Sequence, residues 1–398
     1  MKVIVLLGDG MSDISYNELE NRSPLQAAHT PNMDFMARHG RLGLARTVPG
    51  GLPPGSDVAN LSVFGYDPRT CYTGRSPLEA ISMGVPLSPE DVAFRMNLIT
   101  LKPQGSSIYM KDFSAGHIST VEGRELVMCL NAELGNHEFE FHPGVGYRHL
   151  MVWRGGRDGM KTIPPHDISG KPILDYLPAG DGADRLNSIM NHAQMVLHAH
   201  SVNKKRSEEG LSLANSIWLW GHGKTPRIEP FFKMYGMTGA VISAVDLIKG
   251  IGICAGLDVI NVEGATGYID TNYRGKGEAA LAALEDHDFV YVHVEAPDEA
   301  SHSGNMEHKI RAIEDFDRLV VGTVLEGVKS LSDYAILCMP DHPTPVKLMT
   351  HTSEPVPFVI YRSSGNQANG ADSYDEQQAA STGLLVDGHT LMQLLISG

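Results

Sequence analysis

Aspartate and histidine side chains stand close to the ends of several apolar runs, where they could together bind metal ions. The set comprises Asp9, Asp298, His302, Asp341, His342 and His351. His302 follows Asp298 by four residues, so one helical turn would point both side chains in the same direction. Mixed carboxylate and imidazole ligands suit Mn²⁺, Zn²⁺, Fe²⁺ or Co²⁺ better than Ca²⁺. Each residue alone is a weak signal, because an aspartate after a strand often caps a helix.

A serine near a predicted helix start adds a possible nucleophile. Ser56 lies in the segment 52–60 (LPPGSDVAN), just before a helical pattern over 57–64. Backbone N–H groups at a helix N-terminus favour an anion such as phosphate. A serine hydroxyl attacks phosphorus only when a base or a metal assists the loss of its proton. The residues alone leave two interpretations open, a nucleophile and a simple helix N-cap.

The elements that must position these residues alternate between strands and helices. Short apolar runs predict strands at 2–7, 288–295, 334–339 and 357–361. Helical spacing of apolar residues covers 305–330, and a shorter helix is predicted at 279–284. This alternation is typical of an α/β fold with a largely parallel sheet. In such a sheet, ligands gather at the carboxyl ends of the strands, where Asp9, Asp298, Asp341 and His342 stand; His351 lies in a loop just before the strand 357–361.

The middle of the chain has a different composition, rich in Gly, Pro, His and Arg. It carries strand-like runs at 93–101 and 148–154, a predicted helix at 181–202 and a charged stretch at 203–210 that we expect to be an exposed loop. We therefore predict a discontinuous catalytic domain, residues 1–87 and 237–398, interrupted by a smaller α+β substrate-binding domain, residues 88–236.

Composition excludes several other classes of protein. The chain has 398 residues and a net charge of −15, which disfavours general binding to nucleic acid or to an anionic membrane. Its four cysteines form no CxxC pair, so neither a zinc ribbon nor a disulfide framework is indicated. The N-terminal apolar run, 3–7, is too short for a signal peptide or a membrane span. We expect a cytoplasmic protein.

Six segments of the chain resemble the archaeal-type cofactor-independent phosphoglycerate mutases of the alkaline phosphatase superfamily. They are VLLGDGMSD, LPPGSDVANLSVFGYDP, GRSPLEAISMGV, EAPDEASHSGNMEHKIRAIEDFD, MPDHPTP and THTSEPVPF, which together extend from residue 3 to about 361. The resemblance implies an alkaline-phosphatase-like fold, with a mostly parallel sheet flanked by helices. It also implies an isomerase that interconverts 3-phosphoglycerate and 2-phosphoglycerate without bisphosphoglycerate, in glycolysis and gluconeogenesis.

The resemblance further implies two divalent metal ions, with manganese expected first and zinc, cobalt or magnesium as alternatives. Asp298, His302 and His351 would hold one ion. Asp9, Asp341 and His342 would hold the other, with Ser56 coordinated to it. Ser56 would then take the phosphoryl group as a phosphoserine and return it to the 2-hydroxyl of the bound glycerate.

Substrate-binding residues are expected mainly in the middle domain, where cations and polar groups cluster. The candidates are Asn60, Asp112, His117, Arg148, Lys224, Arg227 and Lys276. Arginine would bind a carboxylate or phosphate through paired hydrogen bonds. The motif DHPTP departs from the DHG of the longer bacterial relatives, and their basic substrate residues do not map onto this chain.

Three other functions stay open at this point. Some bacterial proteins similar to this group have been proposed as homoserine kinases, although the chain has no GxxxxGK[ST] run for ATP. A metal-dependent phosphohydrolase would use the same ligands, and a binding protein without catalysis would be expected to have lost some of them. The sequence does not encode the oligomeric state.

Overall fold

The computed structural model describes residues 1–365 and 368–397. The strands, in chain order, are β1 (Lys2–Gly8), β2 (Arg41–Arg46), β3 (Val92–Gln104), β4 (Ser107–Asp112), β5 (Phe139–Val145), β6 (Arg148–Trp153), β7 (Met160–Lys161), β8 (Ala179–Gly180), β9 (Ser216–Gly223), β10 (Gly239–Ile242), β11 (Asp258–Ile260), β12 (Phe289–Val294), β13 (Tyr334–Met339), β14 (Val356–Arg362) and β15 (Leu385–Asp387).

The α-helices, in chain order, are α1 (Pro24–Ala27), α2 (Pro31–His39), α3 (Ser56–Val63), α4 (Pro68–Cys71), α5 (Ser76–Ser82), α6 (Thr120–Leu134), α7 (Ala183–Ala199), α8 (Ser201–Glu208), α9 (Phe231–Tyr235), α10 (Asp246–Cys254), α11 (Tyr273–Asp286), α12 (Ala296–His302), α13 (Met306–Asp315), α14 (Gly322–Gly327), α15 (Glu376–Ser381) and α16 (Leu391–Ser397). A π-helical stretch, Phe316–Val321, joins α13 to α14.

The chain forms two compact units. The first contains residues 1–72 and 227–398, and the second contains residues 73–226. The sequence analysis expected the divisions at 87/88 and 236/237, so both divisions come earlier in the chain. The first shifts because α5 packs on β3 and β9 of the second unit. The functions expected of the two units stay predictions.

The first unit is built on an eight-stranded sheet with the order β11-β10-β12-β1-β13-β14-β2-β15. All neighbouring strands are parallel except β14, which runs antiparallel to both β13 and β2. Residues 3–8 of β1 are buried on both faces, as expected for a strand inside a parallel sheet covered by helices. The expected α/β fold with a mostly parallel sheet is confirmed.

The order of strands at the centre of this sheet decides where the candidate ligands lie. β1 pairs with β12 on one side and with β13 on the other. Gly8 is level with Val294, and Leu7 is level with Met339. The segments that follow these three strands therefore begin side by side at the carboxyl edge of the sheet.

The second unit has an antiparallel sheet in the order β4-β3-β6-β5, and β9 also pairs with β3 in the antiparallel direction. Its apolar core includes Trp218, Phe94 and Leu130 and is separate from the core of the first unit. An antiparallel sheet on which α6 and α7 pack agrees with the α+β prediction for this unit.

One predicted loop is wrong. Residues 203–210 were expected to form an exposed loop. Lys204, Lys205 and residues 207–210 are exposed as expected, but α8 covers most of this stretch. Asn203 is buried and donates to the carbonyl oxygens of Leu197 and Ala214. Arg206 is buried too and donates to the carbonyl oxygens of Ala115 and Ser212. These polar groups are satisfied inside the unit, which a charge pattern by itself does not reveal.

The four cysteines are free thiols. Within residues 1–365 and 368–397, every helix is too short or too polar to cross a membrane.

Candidate metal centre

Five of the six candidate ligands follow three adjacent strands of the first unit, and His351 lies in the loop between β13 and β14. Asp9 follows β1 directly, and Asp341 and His342 follow β13 after one proline. Asp298 lies in the first turn of α12, the helix that follows β12, and His302 ends the same helix. The prediction that one helical turn carries both Asp298 and His302 is confirmed, and their side chains lie 3.2 Å apart.

Two groups of side chains are close enough to hold a metal ion. One contains Asp9, Asp341 and His342, and the other contains Asp298, His342 and His351. In each group, one ligand atom per residue lies within 4.8 Å of the others. The first group matches one ligand set implied by the resemblance. In the second, His342 is placed where His302 was expected.

His302 nevertheless lies at the same centre. Its Nε2 is 3.2 Å from Asp298 Oδ2 and 2.9 Å from Nε2 of His351. Its Nδ1 lies 3.0 Å from the carbonyl oxygen of Met349, which fixes the orientation of the ring. All six predicted ligands are therefore brought together, although the assignment of each to one particular ion stays a prediction.

The chemistry of this donor set fits divalent metal ions. Asp9 Oδ1 is buried and has no hydrogen-bond partner in the described part of the chain. Burial, together with the nearby charges of Asp341 and Asp298, raises the pKa of Asp9 well above its usual range. A bound cation would supply both the missing partner and the missing positive charge.

The other half of the centre already carries an ion pair. Burial alone would raise the pKa of Asp298, but hydrogen bonds from His302 and His351 outweigh it and hold the pKa well below the usual range. For His302, burial acts to lower the pKa, and the stronger combined effect of the Asp298 carboxylate raises it to about 9.

Gly10 is required by the close approach of the loop after β1 to α12. Its φ is +63°, in the left-handed region that favours glycine. A Cβ at this position would lie 2.6 Å from Asp298 Oδ1 and 2.7 Å from Thr344 Oγ1. Its N–H also donates to Asp341 Oδ1 at 3.2 Å.

Ser56 lies beside this centre. It is the first residue of α3, and its Oγ is 3.2 Å from Nε2 of His342. The N-cap position is occupied by Gly55, and no side chain caps the helix. The N-cap interpretation of Ser56 is therefore not supported, and its role as nucleophile stays a prediction.

Asn60 lies one helical turn after Ser56, and its amide is fully engaged inside the protein. Its Nδ2 donates to the carbonyl oxygen of Ser56 and to Asp341 Oδ2, both at 2.9 Å. Its Oδ1 accepts from the Tyr291 hydroxyl. The predicted contact to a phosphate would have to replace one of these bonds.

A cationic cavity of about 140 Å³ lies within the second unit. It is lined by Arg75, Arg95, Asn97, Phe113, Tyr147, Arg148, His166 and Trp220. Of these residues the sequence analysis predicted only Arg148, because the other two arginines lie in segments without a basic pattern.

Glu79 holds two of the cavity's arginines. Its carboxylate lies 2.8 Å from Nε of Arg75 and 3.2 Å from Nε of Arg95. Burial lowers the pKa of Arg95 to about 10, although Glu79 acts in the opposite direction. Three guanidinium groups against one carboxylate leave an excess of positive charge, so the cavity suits an anion.

Two other predicted substrate residues lie in one tight turn of the second unit. Asp112 accepts hydrogen bonds from the backbone of Ser114 and Gly116 and from the Ser114 hydroxyl, so it stabilises its own loop. His117 is exposed, has a φ of +51° and packs its ring against Tyr147. Tyr147 lines the cationic cavity, so His117 lies at its border.

The remaining three predicted cations are dispersed. Lys224 lies 3.3 Å from Glu90 in the second unit, and Arg227 is an exposed residue of the first unit. Lys276 differs most from its prediction, because it is fully buried on α11 and donates to the carbonyl oxygen of His293 at 3.0 Å. Burial lowers the pKa of Lys276 to about 8.

The fold and this donor set define an α/β protein with a candidate centre for two metal ions. Comparison with known proteins then gives the family. Residues 37–203 match the family model described as 2,3-bisphosphoglycerate-independent phosphoglycerate mutase. Relatives that are 63% and 51% identical over the whole chain show that the chain belongs to this family, as the resemblance indicated.

Relatives match over the whole length. The chain is 63% identical to a probable 2,3-bisphosphoglycerate-independent phosphoglycerate mutase of Geobacter sulfurreducens, with 100% of both chains covered. It is 51% identical to the 2,3-bisphosphoglycerate-independent phosphoglycerate mutase of Methanosarcina barkeri, with 100% of this chain and 99% of the relative covered. Among solved structures, the cofactor-independent phosphoglycerate mutase of Thermoplasma acidophilum is 30% identical, with a TM-score of 0.66 over 100% of this chain and 99% of that one.

Proposed function

We infer that this protein is an isomerase that interconverts 3-phosphoglycerate and 2-phosphoglycerate without bisphosphoglycerate. The observation that carries this inference is the full-length identity of 63% and 51% to relatives named for that activity. The donor set beside Ser56 agrees with it, because phosphoryl transfer needs charge stabilisation on the attacking and leaving oxygens. The homoserine kinase alternative is not favoured by these relatives.

Two divalent ions would be held by the six carboxylate and imidazole ligands, with manganese as our first choice. When bound, such ions polarise phosphoryl oxygens and favour loss of the serine proton. Asp9, Asp341 and His342 would hold one ion, and Asp298, His302 and His351 would hold the other. Because His342 is near both groups, it is the residue best placed to link them.

Ser56 is the residue that we assign as nucleophile. Its Oγ would attack the phosphorus of 3-phosphoglycerate as the bond to the substrate's 3-oxygen breaks. The phosphoserine would then be attacked by the 2-hydroxyl of the same glycerate, which regenerates the serine. Backbone N–H groups at the start of α3 favour the negative charge of a phosphoryl group on this residue.

The second unit would hold the organic part of the substrate. A glycerate with one carboxylate fits the excess positive charge of the cavity around Arg75, Arg95 and Arg148. The reaction also requires that water stays away from the phosphoserine, because hydrolysis would turn the enzyme into a phosphatase. With this substrate, the enzyme would act in glycolysis and gluconeogenesis, and we expect it in the cytoplasm.

A coupled assay tests this function directly. The full chain is stripped of metal, reloaded with Mn²⁺ and given 3-phosphoglycerate without bisphosphoglycerate, with homoserine and ATP in a parallel reaction. We expect 2-phosphoglycerate from the wild type and a loss of at least a thousandfold in Ser56→Ala. Ser62→Ala, six residues later on α3, is the control for damage to the helix. Phosphohomoserine instead of 2-phosphoglycerate would overturn the proposal.

A further inference from the structure

A histidine outside the predicted ligand set touches the candidate metal centre. His293 is the fifth residue of β12 and is fully buried. Its Nε2 lies 3.0 Å from Asp9 Oδ2, and its Nδ1 lies 3.2 Å from Ser243 Oγ. Ser243 directly follows β10. The three side chains therefore come from three neighbouring strands, β10, β12 and β1.

The hydrogen bonds of this group run in one direction. The N–H of Val245 donates to Ser243 Oγ at 3.0 Å, so the serine's own proton is available for Nδ1 of His293. An ionised Asp9 can only accept, which makes Nε2 of His293 the donor to it. The chain of donation therefore starts at Val245 and ends at Asp9, and it specifies one tautomer of His293.

In this arrangement the two carboxylate oxygens of Asp9 have different roles. Oδ2 is taken by His293, whereas Oδ1 is buried and lacks a hydrogen-bond partner among the described residues. Oδ1 lies 3.5 Å from Nε2 of His342, on the side of the candidate metal group. One oxygen is thus fixed by the protein, and the other is left for a cation.

Lys276 fixes the backbone of the same histidine. Its ammonium group donates to the His293 carbonyl oxygen at 3.0 Å, and the whole side chain is buried. This bond ties α11 to β12 at the residue that contacts Asp9. It accounts for a buried lysine whose sequence context had suggested substrate binding.

We propose that Ser243 and His293 form a positioning relay that presents Asp9 Oδ1 to a divalent cation. The proposal rests on the metal centre inferred above. Neither residue touches substrate, so both act through Asp9. Hydrogen bonds that orient a metal ligand from behind typically contribute ten- to a hundredfold to metal affinity.

The test measures metal binding by the full chain. Metal-free protein is titrated with Mn²⁺, and the concentration of free ion is measured by electron paramagnetic resonance. The proteins compared are the wild type, Ser243→Ala, Ser243→Thr and His293→Gln. We expect Ser243→Ala to weaken one of two binding steps about tenfold and to leave the other unchanged. Ser243→Thr keeps the hydroxyl and should restore most of the affinity. His287→Gln changes a histidine two residues before the start of β12. It is the matched control and should bind Mn²⁺ like the wild type.

The possible outcomes test the proposed relay and the proposed metal centre separately. If the wild type binds two ions and Ser243→Ala binds both with unchanged affinity, the relay is overturned and the proposed function is left intact. A lower unfolding midpoint of Ser243→Ala with unchanged Mn²⁺ affinity would also overturn it, because the role would then be structural only. Wild type that binds no Mn²⁺ would overturn the metal centre. Ser243→Ala removes a single oxygen, so the test does not depend on the folding of His293→Gln.

Discussion

Gly10 allows a prediction that separates the effect of backbone strain from damage to the candidate metal centre. In Gly10→Ala the new methyl group would overlap Asp298 Oδ1 and Thr344 Oγ1, and φ would stay at +63°. We expect mutase activity to fall at least tenfold and the free energy of unfolding to fall by about 1–2 kcal/mol or more. Activity assays and urea unfolding check both effects.

Gly236→Ala is the control for this variant. Gly236 directly follows α9 and caps its C-terminus with a φ of +70°, and a Cβ there would meet open space. It should lose similar stability through strain alone but keep its activity. Equal activity losses in the two variants would contradict the role assigned to the space around Gly10.

Arg148 gives a second prediction at the scale of single residues. It is exposed and lines the cationic cavity, with its guanidinium group 5.6 Å from the centre of the Tyr147 ring. Arg148→Gln should raise KM for 3-phosphoglycerate about tenfold or more, since a hydrogen bond to a charged group contributes roughly 1.5–3 kcal/mol. Arg185→Gln changes an exposed arginine of the same unit outside the cavity, and its KM should match the wild type. An unchanged KM in Arg148→Gln would remove this residue from the substrate site.

At the scale of elements, β6 carries a buried histidine that links stability to pH. Burial lowers the pKa of His149 from 6.5 to about 4. The unfolded chain therefore binds more protons than the folded chain between these values, so the folded state loses stability as pH falls from about 6.5 towards 4. The full effect is on the order of 3 kcal/mol.

The variant His149→Asn tests this link. Asn does not titrate, and its amide oxygen can accept from the Gly144 N–H as Nδ1 of His149 does. Urea unfolding at pH 7.5 and pH 5 should show a smaller loss of stability in the variant than in the wild type. His198→Asn, on the exposed face of α7, should retain the wild-type loss. An identical loss in all three proteins would contradict the prediction.

At the scale of the whole molecule, metal removal should lower the stability of the first unit against unfolding. The centre gathers three buried carboxylates, and a bound cation favours the folded state over the unfolded one. At a Mn²⁺ concentration one hundred times Kd, one ion contributes about 2.7 kcal/mol. Chelation should lower the unfolding midpoint, and added Mn²⁺ should restore it. Asp341→Asn should show a smaller Mn²⁺-dependent shift, whereas equal shifts would place the bound ion elsewhere.

Much of the candidate metal centre could be predicted because its residues lie at element ends that are visible in the sequence. The apolar runs of β1, β12 and β13 are short and end at or close to Asp9, Asp298 and Asp341. Parallel strands bring their carboxyl ends to one edge, so these residues converge without further information. The α/β fold, the helix that carries Asp298 and His302, and the family follow from the same segments.

The sequence by itself therefore determined the residue types of the centre and the elements that carry them. Tertiary structure alone decided that His293 contacts Asp9, that Ser243 contacts His293, and that Glu79 joins Arg75 to Arg95. The physical reason is that these contacts depend on strand order and on packing between segments far apart in the chain. A histidine within an apolar strand, or a charge within a basic stretch such as 203–210, has the same sequence signature whether solvent or a buried partner satisfies it.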